Sequence, residues 1–402
     1  MLTTVHRFRW AACQLDALAQ CVTRGKVRRA LQDLPKTLDE TYARILHAIE
    51  EGQNAEEALK ILTWLSYAER PLTTAEVSQV TGIVIGEECR FDEDEVLEDS
   101  NDILRICSSF VSIATAGPGS NNSDDDDDDR TYDQIFDGEQ GPGPEMMYVR
   151  LAHFSVKEYL ISARPSIERY KLSAQESHET LATCCLVYLL HFNQDEWQNP
   201  DCESIFSLAR YASRFWTEHA RVSGMRSNQQ RDLSTEIFTQ NSTAFLAWMR
   251  FFEIDRPWDR NPDIRRTLFA LPKPLYVASH EGLAQAVSAI LAAGAEVNAQ
   301  GGEYGNALQA ASSGGHEEVV QMLLAAGAEV NAQGGEYGNA LLAALSRGDE
   351  KVVQMLLAAG AEVNAQGGHF GNALRAASSL GQEKVVQMLL DAGAETINTP
   401  VA

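Results

Sequence analysis

Cysteine and histidine side chains in the middle of the chain have the types that covalent chemistry uses. Cys184 and Cys185 are adjacent, His178 and His191 lie within seven positions of the pair, and His153 stands in the phrase LAHFSV. A cysteine beside a histidine base can act as a thiol nucleophile, and a single histidine as an acid or base. The cysteines lie in an apolar segment, however, where cysteine is commonly a small buried residue. We therefore predict core cysteines, and a His153 held by hydrogen bonds between a strand and a helix.

Acidic and glycine-rich segments predict neither a metal site nor a phosphate site. No segment has the Asp-x-Asp-x-Asp-Gly spacing of a calcium loop, and the run Asp124–Asp129 has the composition of a solvated loop. The sequence Gly-x4-Gly-Lys-Ser/Thr is absent, and Gly25-Lys26 lacks both the earlier glycine and the following hydroxyl. We thus predict no catalytic residue, no cofactor and no metal ion.

Charge and composition limit the partners of the chain. The formal net charge is −24, and the stretch from Glu87 to Glu145 holds nineteen acidic side chains against three basic ones. This balance disfavours DNA, RNA and anionic lipid. No apolar run approaches the ~20 residues that cross a bilayer, and the N-terminus has no secretory signal. The seven cysteines include no Cys-x-x-Cys pair, so we expect a reduced, cytoplasmic protein without membrane insertion.

A phrase that occurs three times near the C-terminus organises the rest of the chain. LAAGAEVNAQGGEYGN occupies residues 291–306 and 324–339, and it recurs at 357–372 with His369-Phe370 in place of Glu-Tyr. A fixed period of 33 residues predicts a stacked array rather than one globular core. Each unit reads as two short helices and a protruding finger.

Capping residues define the two helices of a unit. Asn306 precedes the first helix and can cap its free amides, and Gly327 ends the second helix in the left-handed conformation. Leu308, Gly327 and Asn331 match positions of the ankyrin repeat, which these units resemble. The chain departs from that pattern where Thr-Pro becomes Asn-Ala, and where the histidine that joins finger to helix becomes another residue. A degenerate first unit begins at Lys273, which gives four units.

The resemblance to ankyrin repeats implies a concave surface that binds protein. Aromatic side chains recur at the fingers, where they can contact a partner or pack on neighbouring fingers. The position occupied by Gln309, Leu342 and Arg375 differs between otherwise identical units, as expected of a surface adapted to one partner. The partner-binding candidates are Tyr304, Gln309, Tyr337, Leu342, Phe370 and Arg375. The last unit keeps the apolar residues Val385, Val386, Leu389 and Leu390, so we expect an exposed apolar edge that can self-associate.

The region before the array reads as helices with one small sheet. Thr37 and Glu40 have the spacing of a capping box. Three helices, the last near 99–107, precede two β-segments around 110–115 and 147–152, which is the order of a winged helix. DNA binding is disfavoured, because the third helix is acidic and the loop between the strands is rich in aspartate. Residues 175–265 read as further helices with core tryptophans.

Several independent phrases in this region resemble fungal NACHT–ankyrin receptors. They are WAACQL from Trp10, LPKTLDETY from Leu34, ICSSF from Ile106 and LAHFSVKEYL from Leu151. The winged-helix segment is similar to the one also named for GPI inositol-deacylase. The resemblance implies a role in non-self recognition. In that family a nucleotide-binding NTPase module precedes this region, and nucleotide exchange in it drives oligomerisation. That module is missing here, so we expect a truncated product, a wrong gene model or a natural remnant.

We therefore predict a mainly α protein with a helical stalk, a winged helix with a small β-wing, a helical domain and an ankyrin solenoid. The predicted boundaries are 1–52, 53–164 with a disordered acidic insertion at 117–146, 165–268 and 269–398. The predicted function is a non-enzymatic adaptor that senses a protein partner through the array. The alternatives are a truncated regulator of full-length NACHT relatives, an unrecognised enzyme, and a DNA-binding protein.

Overall fold

The chain divides into two compact units. The computed structural model describes residues 4–19, 21–116, 146–191, 205–239, 242–256 and 271–395. The first unit comprises Met1–Tyr188, Asp201–Tyr211 and Glu218–Gly224, and the second comprises Leu189–Pro200, Ala212–Thr217 and Met225–Ala402. This division is coarser than the four segments expected from the sequence, whose boundaries stay predictions.

Helices dominate the described residues, which confirms the predicted fold class. Up to residue 223 they are α1 (Thr4–Ala19), α2 (Arg24–Gln32), α3 (Leu38–Glu50), α4 (Ala55–Tyr67), α5 (Thr74–Thr81), α6 (Asp102–Cys107), α7 (Phe154–Leu160), α8 (Ala174–His191) and α9 (Ala209–Ser223). Short 3-10 helices cover Glu93–Glu95, Ser108–Phe110 and Glu168–Tyr170. Helix α2 was not predicted from the sequence.

A small antiparallel sheet lies in the first unit. Its strands are β1 (Leu72–Thr73), β4 (Val111–Ala116) and β5 (Met146–Leu151), in the spatial order β1-β5-β4. Val111 pairs with Leu151, and Leu72 pairs with Val149. A separate pair joins β2 (Ile83–Val84) to β3 (Arg90–Phe91). The two predicted β-segments are thus strands, and β1 is an addition.

The element order in this unit follows the expected one. Helices α4, α5 and α6 precede β4 and β5, and β1 pairs on the far side of β5. The assignment as a winged helix stays a prediction. The acidic insertion, including Asp124–Asp129, falls almost entirely on 117–145, outside the described residues.

Helix caps in the first unit follow the sequence signals, with one correction. Thr37 Oγ1 accepts the Glu40 amide at 3.1 Å, but the Glu40 carboxylate accepts from the amide of Lys36 at 2.7 Å. In the predicted capping box the Glu40 carboxylate would accept the amide of the N-cap Thr37. It accepts instead the amide of the preceding residue, Lys36. At α5, Thr73 and Glu76 form both halves of the box.

Aromatic side chains fill the core of the first unit. Tyr42 is 1% exposed and packs on Phe110 and Tyr159, with both ring centroids 5.3 Å away. The hydroxyl of Tyr42 is 2.8 Å from Ser155 Oγ. His153 caps α7, because its Nδ1 accepts the Ser155 amide at 3.2 Å. His153 is thus hydrogen-bonded between strand and helix, as predicted.

The second unit contains the remaining helices. They are α10 (Asn228–Thr239), α11 (Ser242–Phe251), α12 (Pro274–His280), α13 (Ala284–Ala292), α14 (Ala307–Gly314), α15 (Glu317–Ala325), α16 (Ala340–Arg347), α17 (Glu350–Ala358), α18 (Ala373–Ser379) and α19 (Glu383–Asp391). Trp216 and Trp248 are fully buried, with ring centroids 4.9 Å apart. Trp64 is also buried, in the first unit, so these tryptophans are core residues as predicted. Trp197 and Trp258 lie outside the described residues.

Candidate protein-binding surface

Helix pairs α12–α13, α14–α15, α16–α17 and α18–α19 form the four predicted units of the array. The first helix of each of the last three units begins after an asparagine whose side chain accepts an amide three residues ahead. The distances are 2.9 Å from Gln309 N to Asn306, 2.9 Å from Leu342 N to Asn339, and 2.8 Å from Arg375 N to Asn372. Asparagine therefore replaces Thr-Pro as the cap, as expected.

Each second helix ends at a glycine in the left-handed region, and an asparagine ladder joins that turn to its neighbour. Gly327 has φ +89°. Asn331 Nδ2 donates to Gly360 O at 3.0 Å, and Asn331 Oδ1 accepts the Glu362 amide at 2.8 Å. Equivalent bonds join Asn298 to Gly327 and Glu329, and Asn364 to Gly393 and Glu395. The ladder fixes one repeat against the next.

The fingers are narrow loops that touch each other. Backbone bridges close them at Gln300–Asn306, Gly334–Gly338 and Gly367–Gly371. The rings of Tyr304 and Tyr337 are stacked, with centroids 5.8 Å apart and planes 10° apart. Packing between fingers therefore accounts for these two aromatics, although both stay half-buried.

The remaining candidates divide into surface and interior residues. Arg375 is exposed, and Phe370 is half-buried beside His369. Gln309 and Leu342 are 1% and 4% exposed, which corrects the interpretation that variation at this position marks a contact surface.

Gln309 shows why that position is internal. Its Nε2 donates to Ala332 O in the next finger at 3.0 Å, so its side chain helps to join two repeats. The signal was available, because Gln309 replaces the histidine that joins finger to helix in ankyrin repeats.

A row of exposed glutamates runs along the array and was not among the predicted contact residues. Residues 271–395 carry thirteen acidic side chains against five basic ones. Four of the acids, Glu296, Glu329, Glu362 and Glu395, recur every 33 residues and are all exposed. We call these four residues the glutamate row. The asparagine ladder holds the backbone amides of its last three members. The repeat period would have revealed the row.

The last repeat is only partly buried. Val385 and Leu389 are 1% and 0% exposed, whereas Leu390 is 39% exposed. Val386 is half-buried, although its counterpart Val353 in the preceding repeat is fully buried. Of the four residues expected to form an exposed apolar edge, only Val386 and Leu390 are partly exposed, whereas Val385 and Leu389 are buried. Whether this edge self-associates stays a prediction.

The candidate thiol pair is deep in the core of the first unit. Cys184 and Cys185 are 1% and 0% exposed. Burial raises the pKa of the Cys184 thiol to about 12, so the reactive thiolate is scarce at neutral pH. Both cysteines behave as the buried hydrophobic residues that were expected.

Comparison with known proteins agrees with the geometry of the array. Residues 307–357 match the family model for ankyrin repeats in many copies. The chain is similar to the azaphilone pigments biosynthesis cluster protein L of Monascus ruber, with 38% identity over 297 residues. This similarity covers 70% of the chain, which spans only 57% of that relative. Within the described residues, no helix has the length and apolar character to span a bilayer. The repeated helix pairs at the C-terminal end of this chain are ankyrin repeats.

Proposed function

We propose that the protein is a non-enzymatic adaptor that binds another protein through its ankyrin array. The observation that carries the proposal is the glutamate row on a surface made rigid by the asparagine ladder. A rigid surface loses little conformational entropy on binding, so more of its contact energy appears as affinity. Ankyrin repeats suggest such a protein-interaction role, and the row suggests where the contact is made.

The charge of the array indicates the chemistry of the partner. The glutamate row is exposed at all four positions, and the finger glutamates Glu303 and Glu336 are also exposed. Glu336 N donates to Glu303 O at 2.9 Å, which holds these two acids on neighbouring fingers. A partner with a lysine- or arginine-rich face would be steered to this surface. The half-buried rings of Tyr304 and Tyr337 would supply apolar contact beside the charges.

The resemblance and the Monascus relative suggest two biological settings for such an adaptor. The resemblance to fungal NACHT–ankyrin receptors supports a cytoplasmic recognition protein with the array as its sensor. The related Monascus protein takes its name from a pigment biosynthesis cluster, which supports an accessory role in such a cluster. The alternative proposal is a regulator that associates with full-length NACHT relatives. In each setting the array is the docking surface.

Neutralising the glutamate row tests the proposal. We expect the full-length variant with Glu296, Glu329, Glu362 and Glu395 replaced by glutamine to lose the partners that the wild type captures by proximity labelling and pull-down. Capture by the wild type should also weaken as ionic strength rises, because the charges are exposed.

A matched control removes the same charge elsewhere. Glu51, Glu87, Glu88 and Glu168 are exposed residues of the first unit, and their replacement by glutamine should leave capture unchanged. Equal capture by the wild type and by the array variant would contradict the proposal. Equal loss in both variants would show that net charge, and not the row, attracts the partner.

A further inference from the structure

Three side chains with metal-binding chemistry converge inside the first unit. Glu69 follows α4, His178 lies on α8, and His219 lies on α9. One nitrogen or oxygen atom of each lies within 4.8 Å of the others. The two Nδ1 atoms of the histidines are 2.7 Å apart, and Glu69 Oε1 is 3.8 Å from His219 Nδ1. No metal site was predicted from the sequence, where these three residues belong to distant segments and share no local spacing.

Hydrogen bonds behind the cluster fix its orientation. His219 Nε2 is 2.9 Å from the Tyr211 hydroxyl, and that hydroxyl accepts the Glu69 backbone amide at 3.1 Å. Tyr211 thereby connects one imidazole to the segment that carries the carboxylate. Metal-binding histidines usually have such a partner on the second ring nitrogen, which selects the tautomer and holds the ring.

The surroundings keep the two imidazoles neutral. His219 is fully buried, and burial lowers its pKa to about 3. Burial, and then the charge of Lys157, lower the pKa of His178. Neutral imidazole is the form that binds a metal ion.

Opposing charges lie close to the cluster. Burial raises the pKa of Glu69, with a further contribution from Glu218, while Lys157 acts in the opposite direction. The Lys157 ammonium lies 5.8 Å from the Tyr67 ring centroid, and that ring faces His178. The charges of Glu218 and Lys157 thus act on the cluster in opposite directions.

We propose that Glu69, His178 and His219 bind a divalent transition-metal ion of the zinc class. Two imidazoles and one carboxylate form a ligand set that zinc accepts, with a fourth position for water. Both histidines would bind through Nδ1 and carry their proton on Nε2, and His219 Nε2–H would donate to Tyr211. A tetrahedral ion with bonds of about 2.0–2.1 Å needs the two nitrogens roughly 3.3 Å apart. A small rotation of the rings would provide this separation.

The consequence of such an ion is structural. It would join α8, α9 and the segment after α4, which also meet through ring contacts such as Tyr67 with His178 and Trp64 with Tyr211. A protein whose folded state binds a ligand gains stability in proportion to the logarithm of ligand concentration. The site concerns the first unit, so it is independent of the proposed partner surface on the array.

Binding of Co²⁺ and Zn²⁺ to the chelator-treated full chain tests the proposal. We expect one Co²⁺ per chain with the intense visible absorption of a tetrahedral site, and displacement of that ion by Zn²⁺. Glu69→Gln and His178→Gln should each weaken Zn²⁺ binding at least tenfold in calorimetry. At the same concentration, Zn²⁺ should raise the Tm of the wild type by more than the Tm of these variants.

Two further variants serve as controls, one that keeps all three ligands and one that removes a histidine outside the site. Tyr211→Phe retains all three ligands and should weaken binding by about 10–100-fold, because the hydrogen bonds of the hydroxyl to His219 Nε2 and to the Glu69 amide are lost. His369→Gln removes an exposed histidine of the array and should bind Zn²⁺ like the wild type. Weak, colourless Co²⁺ binding by the wild type would overturn the proposal, as would unchanged affinity in folded Glu69→Gln and His178→Gln.

Discussion

The array and the first unit hold their helices together in different ways. In the array, one set of contacts recurs between residues 29 or 31 positions apart, as at Asn298, Asn331 and Asn364. In the first unit, contacts such as Tyr42 with Ser155 join residues 113 positions apart and occur once. Stability in the array is therefore a sum over similar interfaces, whereas the first unit depends on single contacts between distant segments.

Deleting core methyl groups should give the largest effect and test this contrast directly. Leu356 in the array and Leu46 in the first unit are both 0% exposed. Replacement of either by alanine should lower the free energy of unfolding of its own unit by about 2–5 kcal/mol. Hydrogen exchange, resolved by peptide, would follow each unit separately.

The two substitutions should differ in how far the loss of hydrogen-exchange protection extends along the chain. For Leu356→Ala, faster exchange should be greatest in α16–α19 and fade with distance along the stack. For Leu46→Ala, it should extend over the whole first unit. The control Leu390→Ala removes a side chain that is already 39% exposed, so its effect should be smaller. A uniform loss of protection along the array after Leu356→Ala would contradict the additive picture.

A buried ion pair gives the next effect and concerns the first unit. The Glu76 carboxylate accepts the Thr73 amide at 2.8 Å and Arg70 Nη1 at 3.0 Å, and its side chain is 6% exposed. Glu76→Gln should destabilise this unit by about 2 kcal/mol, because hydrogen bonds to a charged group are lost. Peptide-resolved hydrogen exchange in increasing urea would measure the change within the first unit. A loss below that of an exposed control, Glu88→Gln, would show that the pair contributes nothing.

Removing a helix cap should have a moderate effect that repeats along the array. Asn339→Ala leaves the Leu342 amide without its acceptor and should cost about 1 kcal/mol. Asn306→Ala should cost a similar amount, because the cap geometry is the same. Circular dichroism during urea denaturation would compare the two variants. Strongly unequal losses of unfolding free energy in the two variants would show that the repeats are not energetically equivalent.

Surface ion pairs between repeats should have the smallest effect. Lys351 Nζ lies 3.0 Å from Glu317 Oε1, and the two side chains are 72% and 43% exposed. The equivalent pair joins Lys384 to Glu350 at 3.2 Å. Lys351→Met and Lys384→Met should each change the unfolding free energy by less than about 0.5 kcal/mol. A double-mutant cycle with Glu317→Gln would detect any larger coupling.

Sequence predicted the array well because its signals are local. Asn306, Gly327 and the apolar stripe each act within a few residues, and the period repeats the same evidence. Gln309 was wrongly predicted to lie on the contact surface. Variation between repeats does not reveal whether a side chain points to solvent or lies buried between a helix and the next finger. β1 was missed because a strand of two residues has no periodicity.

The convergence of Glu69, His178 and His219 could not have been predicted in the same way. Each residue is unremarkable in its own segment, and their meeting depends on how α8 and α9 pack. The full capping box at Thr73 has a local signal by contrast, because its two partners lie three positions apart. Sequence reasoning thus found interactions within one turn of helix, and it missed those that tertiary packing creates.

The asparagine ladder also bears on how such a protein can evolve. Every junction between the repeated phrases uses the same two hydrogen bonds, so a duplicated or deleted 33-residue unit would meet neighbours that already fit it. Gene copies with nearly identical internal segments recombine unequally, and here the products of such events would still stack. Array length, and with it the reach of the acidic surface, can therefore change in one genetic step without a compensating substitution.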